Sequence, residues 1–410
     1  MTRRLLFLSH RLPFPPHSGA AIRTYNVLAE LSRAYSIDAL CFDRRDPSTA
    51  GIALESRIEA LLPFARCEVF PIPQQHSRGR LLRDHARSAL TARPYTYYMH
   101  DSAPFLRRLR EVLREHTYDV IHVDSLDLVR VMSSLPLERV ACTHHNVESE
   151  LLARRAGAER RRLPRMYTRF QAALVRRAER KWAPRVACNL CTSAEDVQTL
   201  QRIAPGMRGE IIPNGVDDTY FTRDDVPRDG GLVFVGGTSW HPNRDALEWF
   251  VDAILPAIRA SGVSARVMWV GRVTQEERRR YANTEGFTLT GYVDDIRPYL
   301  ARARCFVAPI RFGGGTRLKM LDAWAMQVPI VATRAAMEGL DPLDGRDCLL
   351  AENPHEFGTQ IARVLEDDRL TDRLAEAGRA RVETAFAWRV IGEKLRELYR
   401  EIAARSARTT

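Results

Sequence analysis

The sequence predicts an α/β protein made of two doubly wound domains, each a parallel sheet with helices on both faces. Short apolar runs alternate with helix-patterned stretches along most of the chain, as consecutive strand–helix units require. Runs such as VFVG (233–236) and VMWVG (267–271) are apolar throughout, which suits strands covered on both sides. The alternation breaks at the turn-rich PNGVDDTYFTRDDVPRDGG (213–231) and restarts with a fresh strand.

The first domain is placed at 1–215. Its strands are expected at Leu5–Ser9, Ile37–Phe42, Val69–Ile72, Val120–Asp124, Val140–His144, Ala187–Thr192 and Glu210–Ile212, with helices such as Ala20–Tyr35 and Pro104–His116 between them. The second domain, 216–385, repeats the style with Leu232–Gly236, Ala265–Val270, Phe287–Leu289, Cys305–Ile310, Ile330–Thr333 and Cys348–Ala351. Residues 386–410 carry a closing amphipathic helix, Trp388 to Ile402. Ligands of such sheets bind beyond the carboxyl ends of the strands, so two domains point to a site in the cleft between them.

The stretch CFVAPIRFGGGTRLKMLDAWA (305–325) reads strand, glycine loop, helix, with the helix opening near Thr316. Successive N–H groups of Gly313, Gly314 and Gly315, ending at a helix N-terminus, make an anion site. Arg317 and Lys319 add charge where a diphosphate would sit, and Asp322 is placed to accept hydrogen bonds from ribose hydroxyls. A plain turn also uses glycines but does not need two cations beside them. Of 62 basic residues only Lys181, Lys319 and Lys394 are lysines, so a lysine in this loop–helix stands out from the arginine background.

The chain has 410 residues and 45% apolar composition, enough for two cores. No apolar run reaches the roughly 18 residues of a membrane span, and LLFLS after Arg4 is too short for a signal peptide, so a cytoplasmic protein is expected. Seven scattered cysteines fit that, and the Cys188/Cys191 pair lies in an apolar strand with no second pair for zinc. Residues 151–185 hold eleven Arg and one Lys against Glu159 and Glu179, nearly all of the net +11. From Leu163 this segment is helical in spacing, with Pro164 in the first helical position. Leu163, Met166, Tyr167, Phe170 and Leu174 lie on one face and Arg165, Arg169, Arg176 and Arg180 lie off it. It reads either as a contact for an anionic membrane surface or as a solvated basic face. No nucleic-acid-binding motif is visible.

Taken in order, PPHSGAAIRTYNVLAEL, THHNVES, IIPNGVD, FVGGTSWHPNRDALEWF, VGR, GYVDDIRPYL, the glycine loop and FAWRVIGEKLRELYREI resemble the retaining glycosyltransferases of family 4, over nearly the whole chain. The resemblance implies the GT-B architecture, two Rossmann-like domains facing a central cleft, with the last helix packing back across the domain junction. It implies transfer of a hexosyl group from a nucleoside-diphosphate sugar to an acceptor hydroxyl with retention, without a metal or other cofactor, in polysaccharide or glycoconjugate biosynthesis. The adjacent pairs Asp217–Asp218 and Asp294–Asp295 read as turn residues rather than metal ligands.

Carried over residue by residue, Gly19, Gly236, Val293, Gly313, Gly314, Gly315, Thr316, Arg317, Lys319 and Asp322 bind the nucleotide sugar. His145, Arg317 and Lys319 are the catalytic candidates, and Arg23, His144 and Asn146 lie on the acceptor side. Either His144 or His145 faces the cleft, since neighbours on a strand point to opposite sides. Two features depart from the family. Gly314 stands where a glutamate holds the donor sugar, and Gly237 and Asn243 fall near the usual Arg and Lys after the second domain's first strand, a charge that Arg317 and Lys319 would supply instead. Other readings are a nucleotide-sugar epimerase and a non-catalytic nucleotide- or polyanion-binding relative. A lipid-linked acceptor and peripheral attachment to the inner membrane surface through 151–185 belong to the same expectation.

Overall fold

In the computed structural model the described residues are 3–44, 51–313 and 318–409. They form two compact units, Met1–Pro213 with Gly392–Thr410, and Asn214–Ile391. The first contains β1 (Arg3–Ser9), β2 (Tyr35–Asp43), β3 (Arg66–Pro71), β4 (Val120–Val123), β5 (Val140–His144), β6 (Cys188–Cys191) and β7 (Gly209–Ile211). These make one parallel sheet in the order β3-β2-β1-β4-β5-β6-β7. The second contains β8 (Leu232–Val235), β9 (Val267–Val270), β10 (Phe287–Gly291), β11 (Cys305–Ala308), β12 (Ile330–Ala332) and β13 (Leu349–Leu350), ordered β10-β9-β8-β11-β12-β13. Each expected strand is present, with ends moved by a few residues, as strand ends usually are.

β1 is the axis of the first sheet: Leu5 pairs with Ile37 on one side and Val120 on the other. Its residues from Leu5 to Ser9 are fully buried, and the ring of Phe7 stacks on His122 of β4 at 4.3 Å. β8 plays the same part in the second sheet, where Phe234 stacks on Trp269 at 3.9 Å. Trp324, wholly buried, satisfies its indole N–H on the Asp347 carbonyl at 2.9 Å, the partner a buried tryptophan needs. All seven cysteines are unbridged, and Cys188 and Cys191 are core residues of β6. The helix Arg162–Trp182 starts two residues before Pro164, whose missing N–H is harmless within the first turn.

The last helix, Trp388–Thr409, contributes its residues from Gly392 onward to the first unit. Tyr399 meets His122 Nδ1 at 2.5 Å, and Arg139 donates to Ser406 Oγ at 2.7 Å. Arg396 donates to the Glu30 carboxylate at 2.7 Å. The approach is close: a Cβ on Gly392 would lie 2.3 Å from Glu30 Oε2. Arg33 also pairs with Glu30, but its side chain is 64% exposed, against 13% for Arg396. A pair out of water loses far more than a solvated one when a partner is removed. Arg396→Ala is therefore expected to cost about 3 kcal/mol in urea unfolding, and Arg33→Ala under about 0.5 kcal/mol. Equal effects would show that the last helix does not anchor the first unit.

Candidate functional site

Each sheet reverses its winding at one point, between β1 and β4 in the first unit and between β8 and β11 in the second. Loops leaving neighbouring strands diverge there and open a crevice at the carboxyl ends. Both crevices hold an unusual group of side chains.

In the first unit, His10 follows β1, Asp124 follows β4 and His145 follows β5. Asp124 accepts hydrogen bonds from Ser9 Oγ (3.1 Å) and Thr24 Oγ1 (2.8 Å). Three imidazoles surround it: His10 Nδ1 at 3.7 Å, His122 Nε2 at 3.5 Å and His145 Nε2 at 3.6 Å. Burial alone would raise its pKa, but His145, His122 and His10 hold the carboxyl well below the usual range. Burial pushes His10 and His122 down, against the pull of Asp124.

His10 Nδ1 and His145 Nε2 are buried without a hydrogen-bond partner among the described residues, and with Asp124 they form a group of ligand-type atoms within 4.8 Å of one another. Such donors could hold a divalent cation. However, Arg11 Nε donates to His10 Nε2 at 3.1 Å, which puts the proton of a neutral His10 ring on Nδ1. A donor, not a lone pair, then faces Asp124, so a metal would have to displace Arg11.

The two neighbouring histidines separate clearly. His144 is buried and bonded to Asn189 Oδ1 at 2.9 Å, and burial pushes its pKa to about 4. His145 is the one beside Asp124. Asn146 Nδ2 donates to Glu148 at 3.4 Å, and burial with Asp127 nearby pushes the Glu148 carboxyl up to about 7. These residues line a small cavity of about 20 Å³. Gly19 opens the helix Gly19–Ser32, whose N-cap Ser18 accepts from Ala21 N and from Arg11 Nη1. Arg23 is an interior residue. It is 2% exposed, donates to the Pro213 carbonyl at 2.8 Å, and burial pushes its pKa to about 10.

In the second unit, Lys319 on the helix Leu318–Ala325 after β11 reaches back to the end of β8. Its Nζ donates to Asn243 Oδ1 at 2.8 Å and lies 4.3 Å from the Phe234 ring centre. A Cβ on Gly236 (φ 154°) would stand 2.5 Å from both Lys319 Nζ and Asn243 Nδ2, so only glycine fits there. The carboxylate of Asp322, one turn further along, accepts no hydrogen bond among the described residues, while its backbone carbonyl accepts from Met326 N at 3.0 Å. Burial pushes its carboxyl up to about 7, against Lys319. Arg311 is engaged with Asp245 at 2.6 Å. Gly313 ends the described part of the loop (φ 124°), and Val293 packs on the core after β10. Gly314, Gly315, Thr316 and Arg317, together with the expected helix start at Thr316, lie outside the described residues. Asp217 and Asp295 do cap their own turns, accepting from Thr219 N and Arg297 N.

His10 and Asp124 were not among the sequence candidates. Their only signal is position, the first residue after a buried strand, in LSHR and HVDS.

Two family models match the chain: Glycosyltransferase Family 4 over residues 17–220, and Glycosyl transferases group 1 over 229–367. No match was found among curated proteins. Solved structures share the fold. Sucrose-phosphate synthase from Thermosynechococcus elongatus superposes with a TM-score of 0.68 at 18% identity, over 98% of this chain and 100% of that one. HepE from Anabaena, in complex with UDP and glucose, gives 0.61 at 15% identity over 96% and 98%. WaaG, a glycosyltransferase of lipopolysaccharide biosynthesis, gives 0.59 at 12% over 95% and 98%.

Asp322 offers a direct check of the second crevice. Its carboxyl is raised above its unfolded value of 3.8, so its contribution to stability is intact below about pH 4 and is lost as pH rises through about 7. Relative to wild type, Asp322→Asn is expected to gain about 2–4 kcal/mol between pH 4 and 7 and nothing further above, read from paired unfolding curves. A pH-independent difference would mean that the carboxyl ionises as in water.

Proposed function

We propose that this chain, a glycosyltransferase of the family 4-like type, transfers a hexosyl group from a nucleoside-diphosphate sugar to an acceptor hydroxyl with retention of configuration. The observation that carries the reading is Lys319. Its ammonium sits at the ends of β8 and β11, on Asn243 and against Gly236, where the winding of the second sheet reverses. A cation placed there by the fold needs no reorganisation when a diphosphate departs. Asp322, one turn away with an unengaged carboxyl, suits a ribose diol. HepE, of the same fold, has been solved with UDP and with UDP-glucose, which supports this donor class.

In this reading the bond between the anomeric carbon and the diphosphate oxygen breaks, and the negative charge on the diphosphate is met by Lys319 and loop N–H groups. The acceptor oxygen bonds to the anomeric carbon from the same face, and its proton passes to the departing diphosphate. No side-chain nucleophile is assigned, and no metal, because the countercharge is the protein's own. The crevice of the first unit, with Gly19, His145 and Asn146 at its rim, is the sugar and acceptor side. Arg23 supports that wall from inside.

Thermal shifts against a panel of nucleoside diphosphates and their sugars test the donor site, since a ligand at 100 times its Kd adds about 2.7 kcal/mol. One base should stand out, and silence across the panel would remove the donor assignment. Lys319→Ala is expected to lower kcat/KM for the donor by about 10²-fold, the usual loss of one charge-stabilising donor, with the melting temperature little changed. Lys319→Arg should not rescue it, because the slot beside Gly236 suits a compact ammonium. Normal turnover in Lys319→Ala would sink the reading, and an epimerised donor formed without acceptor would replace it.

A further inference from the structure

The first unit carries a second feature, away from its crevice. The helices Arg78–Thr91 and Arg162–Trp182 run side by side in the same direction: His85 meets Tyr167 at 2.5 Å, and Ser88 accepts from Gln171 at 2.9 Å. Seven of the large apolar residues left exposed belong to this pair, Leu81, Leu82 and Leu90 on one helix and Leu163, Met166, Tyr167 and Phe170 on the other. Leu90 is 86% exposed and Leu163 79%. The two helices are also basic. Arg78, Arg80, Arg83 and Arg87 face only Asp84 in their segment, and seven cations in 162–182 face only Glu179. That glutamate is turned inward, onto Ser149.

Where the helices end, a cleft of about 480 Å³ opens between them. Its floor includes Leu174 and Trp182, and its rim carries Arg93, Arg177 and Lys181. Lys181 lies 4.6 Å from the Trp182 ring centre, and Arg93 lies 4.7 Å from that of Tyr97. None of the three cations pairs with a carboxylate among the described residues, although carboxylate pairing is common for arginines elsewhere in the chain. Arg93 also donates through Nη1 to Tyr97 Oη at 2.7 Å, and its other N–H groups, with those of Lys181, remain donors for an anion.

We propose that this two-helix face docks on an anionic phospholipid surface, with its leucines and Met166 among the acyl chains and the Arg93–Arg177–Lys181 cleft closed around a headgroup phosphate. A soluble phosphate compound would account for the three cations but not for the flanking leucines. A nucleic acid would account for the cations and for Tyr167 and Phe170, but not for Leu81, Leu82, Leu90, Leu163 and Met166, which have no ring to stack on a base. Apolar side chains beside unpaired cations match a lipid interface on both counts.

The test is co-sedimentation of the full chain with phosphatidylcholine vesicles, with and without phosphatidylglycerol, over a salt series. Binding is expected only with phosphatidylglycerol and should fall as salt rises. Arg177→Glu with Lys181→Glu should weaken it by about tenfold or more, whereas the matched pair Arg107→Glu with Arg110→Glu, on the helix Ala103–Glu115, should cost less than about threefold. Leu163→Asp with Met166→Asp should also cost about tenfold, with melting curves confirming intact folding. Absence of sedimentation at low salt overturns the proposal, as does equal loss from the two charge pairs, which would mean diffuse attraction. Glycerol 1-phosphate that protects the chain from melting as well as vesicles do, regardless of Leu163→Asp, would assign the cleft to a soluble phosphate ester. An oligonucleotide binding equally tightly would assign it to nucleic acid. The readout is independent of glycosyl transfer.

Discussion

A parallel strand covered on both faces can place polar chemistry only at its ends. That constraint governs both units. β1 is buried from Leu5 onward, and β8 is buried over its first three residues. The first residues past their ends, or those reaching them from a neighbour, therefore carry the chemistry: His10 and Asp124 in one unit, Gly236 and Lys319 in the other. The winding reversal decides which strand ends become neighbours. β4 lies beside β1, and β11 beside β8, although more than seventy residues separate each pair in sequence. A loop from each side then faces the same opening.

The two openings are opposite in charge. Asp124 is a buried carboxylate, a costly species unless its lone pairs are satisfied. Ser9 and Thr24 donate to one of its oxygens, and the rings of His10, His122 and His145 stand 3.5 to 3.7 Å away. The second opening instead carries an ammonium, bonded to the amide oxygen of Asn243 and set against the Phe234 ring. Asp322 is near enough to feel Lys319, yet burial dominates and keeps its proton affinity high.

How much of this could be read from the sequence depends on how local each signal is. Strands showed themselves because burial on both faces demands continuous apolar runs, and Lys319 because lysine is rare in this chain. Arg23 was read as facing an acceptor. Helical spacing places it with Thr24, Val27 and Leu31, a set that turns inward, and its charge is met by a backbone carbonyl that lies 190 residues away. His10 and Asp124 were missed for a related reason. A lone histidine and a lone aspartate after strands are ordinary, and only the strand order makes them neighbours. The reach of Lys319 to Asn243, across 76 residues, is likewise a property of the sheet order and not of either segment.

The lysines add one further step. With 62 basic residues of which three are lysines, an arginine at any given position needs no special account, but each lysine does. All three occupy places where a small charged head is set against something specific. Lys319 is on Asn243 beside a glycine that leaves no room for a Cβ, Lys181 is over Trp182 at the cleft rim, and Lys394 is on the Ile211 carbonyl at the end of β7. A guanidinium is a flat fork suited to carboxylates, and the arginines here are largely used that way, on Asp38, Asp245 and Glu30 among others. An ammonium is a point charge with three donors that can sit on a carbonyl or a ring and still face outward. Two of the three lysines therefore fall in the two places where an anion from outside the chain would have to be met, and the third closes the last helix onto the first sheet.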